Sequence, residues 1–292
     1  MKKKSSLKHT GAFWAFCAPC CILFGVFFLV PLVLSIAFSF TNYDGWKTMD
    51  FVGLKNYITL FKDSKFYLSL GRTLLYTVCT LPFRVIIPLL VAVLLCSRRV
   101  VAKSLTRTMV YIPVLMSALV VGITINWMFS QEYGLVNFII RSLGGTALEW
   151  SLNPRLATFV IAFASVWASI GFNMILYIGG INSISNDLYE AATIDGASGV
   201  QAFFRITVPM LAPTTFMVVL LSTVNLLKEY ALVQGITQGG PGLSTTFIIQ
   251  YIFDKGFNQM QYGYASAIST VVMIIFALIA FAQFKVNNGG ET

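Results

Sequence analysis

Six stretches of this chain are each long and apolar enough to cross a lipid bilayer, and nothing else in the sequence constrains its fold so strongly. They take most of Ala12 to Phe40 and then, roughly, Thr73 to Cys96, Leu105 to Phe129, Leu156 to Ile181, Pro209 to Val233 and Gly263 to Phe284. A hydrocarbon core of about 30 Å needs about twenty helical residues at 1.5 Å rise each. Hydrophobic residues make up 57% of the 292 positions and charged residues 11%, where a soluble domain carries about a quarter charged. The expected fold class is therefore all-α: an integral membrane protein of six transmembrane helices, in one transmembrane domain over residues 1–292 with its core spans from about 73 to 284.

The net charge of +9 does not point to nucleic acid, because the basic residues sit in tails and short connections and form no stripe along a soluble face. Lipid and topology account for them. Lys2, Lys3, Lys4 and Lys8 precede the first span, and Arg98, Arg99, Lys103 and Arg107 crowd the tight second connection. By the positive-inside rule both termini are expected to be cytoplasmic. The first outer loop, with Lys47, Lys55 and Lys62, runs against a clean asymmetry. Met1 to His9 looks like the start of a signal peptide, but the apolar run that follows is far longer than the 7 to 15 residues of such a leader, so a retained helix is expected. Cys17, Cys20, Cys21, Cys79 and Cys96 all lie inside apolar runs, and His9 is the single histidine. No catalytic residue, metal site or phosphate-binding loop is expected in this chain.

This orientation places Asn182 to Val208 on the cytoplasmic side, as one long inner loop. It parses as two short helices about a turn. Asp187 with Glu190 three residues on makes a capping-box-like start, and Leu188, Ala191 and Ala192 share a face. Gly196 can take positive φ where the chain reverses, Val200, Phe203 and Phe204 repeat the i, i+3, i+4 pattern, and Pro209 opens the fifth span. Small alanines, aromatics and the Glu190 carboxylate make this a knob suited to a partner's cleft.

The order Glu190-Ala191-Ala192, then Gly196, then Ile206 and Pro209 resembles the cytoplasmic EAA loop of the permeases of binding-protein-dependent ABC importers. Val208 stands where the pattern usually has Leu. Thr237-Gln238-Gly239-Gly240-Pro241 and Phe51-Val52-Gly53-Leu54-Lys55-Asn56-Tyr57 are similar to segments of the carbohydrate branch, the maltose and glycerol-phosphate type first subunit. The resemblance implies a multi-pass permease of a bacterial-type cytoplasmic membrane that imports a sugar or related small polar solute. It implies Glu190, Ala191, Ala192, Asp195, Gly196, Phe203 and Phe204 as the residues that couple to an ABC ATPase dimer. Further implied partners are a second homologous permease and an extracytoplasmic solute-binding protein, with ATP and magnesium confined to the ATPase.

A polar solute crossing lipid needs hydrogen-bonding side chains and aromatic faces along a central cavity. In the fourth span Ser165, Ser169 and Phe172 fall at i, i+4, i+7, with Trp167 and Asn173 alongside; in the fifth, Ser222, Asn225 and Glu229 fall at i, i+3, i+7. Two readings stand for Ser165 and Ser169, since small residues also pack membrane helices together. Two stand for Glu229: a carboxylate within a span faces a cavity or a partner, yet with Lys228 it could also reach outward. Arg84, near mid-membrane, demands a partner that the sequence does not name. The alternative function is an ion- or proton-coupled carrier that uses Arg84 and Glu229 as its charges. A membrane enzyme would need a reactive constellation that is missing.

Overall fold

In the computed structural model, residues 6–46, 49–97 and 102–288 are described. Lys2, Lys3, Lys4, Lys47, Arg98 and Arg99, on which part of the charge reading rests, lie outside the described residues. Fifteen α-helical segments run, among the described residues, in the order α1 Ser6–Phe24, α2 Val30–Phe38, α3 Lys55–Lys62, α4 Ser64–Cys96, α5 Lys103–Leu115, α6 Ala118–Met128, α7 Leu135–Ser142 and α8 Pro154–Asn182. They continue as α9 Asn186–Ile194, α10 Gly199–Ala202, α11 Val208–Met210, α12 Ala212–Leu227, α13 Ala231–Ile236, α14 Ile248–Phe253 and α15 Tyr262–Asn288. A π-helical turn, Gly25–Leu29, joins α1 to α2.

Four helices are long and apolar enough to span a membrane unaided: Phe16–Phe38, Ser64–Cys96, Pro154–Asn182 and Tyr262–Val286. The third and fifth spans depart from expectation. Leu105 to Phe129 is not one helix, since α5 and α6 meet at 100°. The chain breaks at Met116 and Ser117, both extended, with ψ 145 and ψ 135. The fifth begins at Ala212 and not at Pro209, which lies in α11, and the segment from Gly199 bends by 66° on entering it. It also stops early. The helix ends at Leu227, and Lys228 to Tyr230 separate it from α13.

The chain forms two compact units, Met1–Ser64 with Ile252–Ile275, and Lys65–Tyr251 with Phe276–Thr292. In the first, the segment between α2 and α3 is tied down by its own polar groups. Asn56 donates its side-chain amide to the carbonyls of Ser39 and Thr41, at 2.9 and 2.8 Å, and the Tyr57 and Ser39 hydroxyls meet at 2.7 Å. Gly53 takes φ +58 between them, which is the backbone freedom that the Phe51–Tyr57 segment requires. The Tyr264 hydroxyl donates to Asp63 at 2.7 Å.

The second unit holds two apolar clusters. One gathers Tyr76, Val121, Ile125, Ile161, Leu226, Val233 and Phe247; the other gathers Ala92, Leu95, Met174, Tyr177, Leu211 and Val218. The kink after α5 has a packing reason. It lays α6 along α13 so closely that a Cβ on Gly122 would stand 3.0 Å from the Gly235 Cα, the small-residue contact by which helices associate without a hydrophobic drive. α4 and α8 run parallel, because Arg84 bonds Ser165 and Asn173 while Ala92 and Leu95 cluster with Met174 and Tyr177 further along both.

Candidate functional site

A cavity of about 250 Å³ in the second unit is lined by α4, α5, α6, α8, α12 and α13 together with the break before α13. Six of the eight pathway residues expected from the stripes line it: Ser169, Phe172, Asn173, Ser222, Asn225 and Glu229. Ser165 and Trp167 do not. Ser165 is fully buried, and Trp167 packs against the first apolar cluster.

Arg84 also lines the cavity, and its partners are now visible. Its Nε and Nη2 both donate to the Ser165 carbonyl, at 3.3 and 3.0 Å. Ser165 thus contributes its backbone to the site, through an acceptor that no side-chain pattern reveals. The Arg84 carbonyl has lost its helical partner because position 88, four residues on, is a proline without an N–H. Asn173 fills the gap, donating to that carbonyl at 2.9 Å and to the Ser222 hydroxyl at 3.2 Å. Arg84, Asn173 and Ser222 are all buried, so their geometry is fixed before any solute arrives. In a medium without water such satisfied networks are what permits polar groups at all.

Glu229 reaches the cavity by a route the helical stripe misplaces. It lies in the break between α12 and α13, so it does not continue the row of Ser222 and Asn225. Its carboxylate is half-buried and lies in the field of Arg84. Lys228 is exposed. Asn225 is exposed within the lining and remains available to a solute.

Outside the cavity, α9 and α10 form the expected pair of short helices. The N-cap of α9 is Ser185 and not Asp187: the Ser185 hydroxyl accepts from the Asp187 N–H at 3.3 Å. Asp187 falls instead in the first turn, where a negative charge opposes the helix dipole favourably. The turn after α9 closes with Ala197 N–H on the Ala192 carbonyl at 2.9 Å, and Gly196 sits at φ +78. A reciprocal capping box that the sequence reading missed, Ser198 with Gln201, starts α10; its signal was the Ser-x-x-Gln spacing. The Tyr189 hydroxyl and the Thr207 hydroxyl, 2.9 Å apart, tie α9 to the approach of the fifth span.

Of the seven residues expected to couple, Glu190, Ala191, Asp195, Gly196 and Phe204 are exposed, while Ala192 and Phe203 are half-buried. Ile194, Val200 and Phe204 stand 87%, 67% and 64% exposed.

Comparison with known proteins places this geometry in context. Residues 57–288 match the family described as binding-protein-dependent transport system inner membrane component. The probable ABC transporter permease protein YurN of Bacillus subtilis is 32% identical over 276 residues, 92% of this chain and 94% of that protein. The arabinooligosaccharides transport system permease protein AraP of the same organism is 32% identical over 279 residues, 94% of this chain and 88% of its own length. Among solved structures, a chain of a bacterial ABC transporter involved in the import of the acidic polysaccharide alginate has the same fold. Its TM-score is 0.84 at 23% identity, over 97% of both chains.

Proposed function

The chain belongs to the family of binding-protein-dependent transport system inner membrane components, and from that membership we propose that it forms half of the pathway of an ATP-driven sugar importer. A homologous second permease supplies the other half. An ABC ATPase dimer seats α9 and α10, the ATP and magnesium belong to that dimer, and both termini share its cytoplasmic side. The observation that carries this proposal is the cavity, where Asn173, Ser222 and Asn225 offer neutral hydrogen-bonding groups beside the Phe172 ring. Amide and hydroxyl groups around an aromatic face suit a sugar, which presents hydroxyls on its rim and C–H groups on its faces. The names of relatives such as AraP support the solute class.

Alternating access follows from the connections. Closure of the ATPase subunits moves α9 and α10, the Tyr189–Thr207 contact passes that motion to the fifth span, and the cavity reopens toward a solute-loaded binding protein. Purification of the chain in mild detergent from its native membrane is expected to recover an ABC ATPase and a second permease. Reconstituted with the binding protein, the complex should take up sugar only with ATP; uptake that persists without ATP and follows an ion gradient overturns the proposal. Asn225→Ala removes one solute hydrogen bond, worth about 0.5–1.5 kcal/mol, so its uptake should fall roughly two- to twelvefold with ATPase activity retained. Unchanged uptake would remove Asn225 from the pathway.

A further inference from the structure

The largest cavity described in the second unit is not the one above. It is an apolar groove of about 490 Å³ between α4 and α8, walled by side chains that include Leu75, Phe83, Phe159 and Phe163, with Arg72 and Arg155 as its only charged members among the described residues. No carboxylate among the described residues lines it. The two arginines lie at the same end. Arg84 bonds residues 81 and 89 positions on, in the parallel helix, and that register sets Arg72 level with residues 153 to 161, among them Arg155. Arg72 gives one N–H to the Leu243 carbonyl, which leaves four of the five guanidinium donors. The Arg155 guanidinium makes no hydrogen bond among the described residues, and the residue is exposed.

The groove has the dimensions of one lipid leaflet. From Arg72 to Ile87 is about 22 Å along α4, and from Arg155 to Val166 about 16 Å along α8, at 1.5 Å per residue. Half of a hydrocarbon core measures about 15 Å. Two cations at the head of an apolar trough of that depth match an anionic headgroup above acyl chains, and guanidinium groups hold phosphate oxygens by charge-assisted hydrogen bonds. A zwitterionic lipid brings its own cation and gains less from the pair. We infer that the groove between α4 and α8 is a binding site for an anionic phospholipid, with its phosphate held by Arg72 and Arg155 and its acyl chains against the phenylalanines.

The test uses the transporter purified as it assembles and incorporated into nanodiscs of phosphatidylcholine doped with phosphatidylglycerol, with the retained lipid read by native mass spectrometry. Wild type is expected to retain phosphatidylglycerol about tenfold over its share of the mixture. The pair Arg72→Gln and Arg155→Gln should lose that preference, and the pair Arg72→Lys and Arg155→Lys should keep part of it. Retention in proportion to the mixture by wild type, or an unchanged preference in the glutamine pair, overturns the inference. Cys79, exposed and in the groove wall, provides a second measurement on unaltered protein. If a bismaleimide joins Cys79 to a partner polypeptide, the groove is a protein interface and the lipid assignment falls; protection of Cys79 by phosphatidylglycerol alone supports it.

Discussion

Gly196→Val is expected to lower solute uptake at least tenfold while the chain still inserts and the ATPase still turns over. Gly196 holds φ +78 at the turn between α9 and α10, and a Cβ there would meet nothing within 4 Å. The penalty is therefore confined to the backbone, about 1–2 kcal/mol for a left-handed residue with a side chain and at the upper end for a β-branched one. Relief of that strain is expected to swing α10 away from α9 and spoil the shape proposed to seat in the ATPase. Gly196→Asn is the control, because asparagine tolerates the left-handed region, and it should keep most of the uptake. Full uptake by the valine variant would remove the loop from the coupling path. Equal loss in both variants would trace the effect to docking bulk instead of backbone conformation.

The second large effect concerns Arg84. Arg84→Ala removes the guanidinium that bonds the Ser165 carbonyl and takes from half-buried Glu229 the cation in whose field it lies. Hydrogen bonds from a charged donor are worth about 1.5–3 kcal/mol when buried, so the single variant should accumulate less and unfold at a lower temperature in detergent. Adding Glu229→Gln to the same chain should recover a large part of the loss. A double variant no more stable than the single one would show that Arg84 acts through Ser165 alone.

Apolar length alone located the spans, because lipid thickness sets it and local detail hardly enters. The breaks were another matter. Pro113 lies in the last turn of α5, but neither Met116-Ser117 nor Lys228-Glu229-Tyr230 itself carries a glycine or proline, and the close approach of Gly122 to Gly235 that accompanies the breaks joins residues far apart in the chain. The α9–α10 loop was legible in its glycine, whose positive φ is a local requirement, but its start was misplaced by two residues because Ser185 competed with Asp187 as the cap. Within the cavity, side-chain patterns found Asn173 and Ser222. They could not find the carbonyl of Ser165, since a backbone acceptor has no signature. Pro88, four residues after Arg84, was the sequence sign that a carbonyl there would seek an outside donor.

In the proposed assembly the α9–α10 loop lies in the cytoplasm, where Ile194, Val200 and Phe204 of the isolated chain stand exposed to water. Fully covering an aliphatic or aromatic side chain of that size is favourable by about 1.5–3 kcal/mol, so the unassembled subunit is the high-energy state of the system. Assembly then runs downhill from the solvent's side: water released from three side chains draws the loop into whatever cleft excludes it, and an orphan copy keeps the exposed patch by which it can be told from an assembled one.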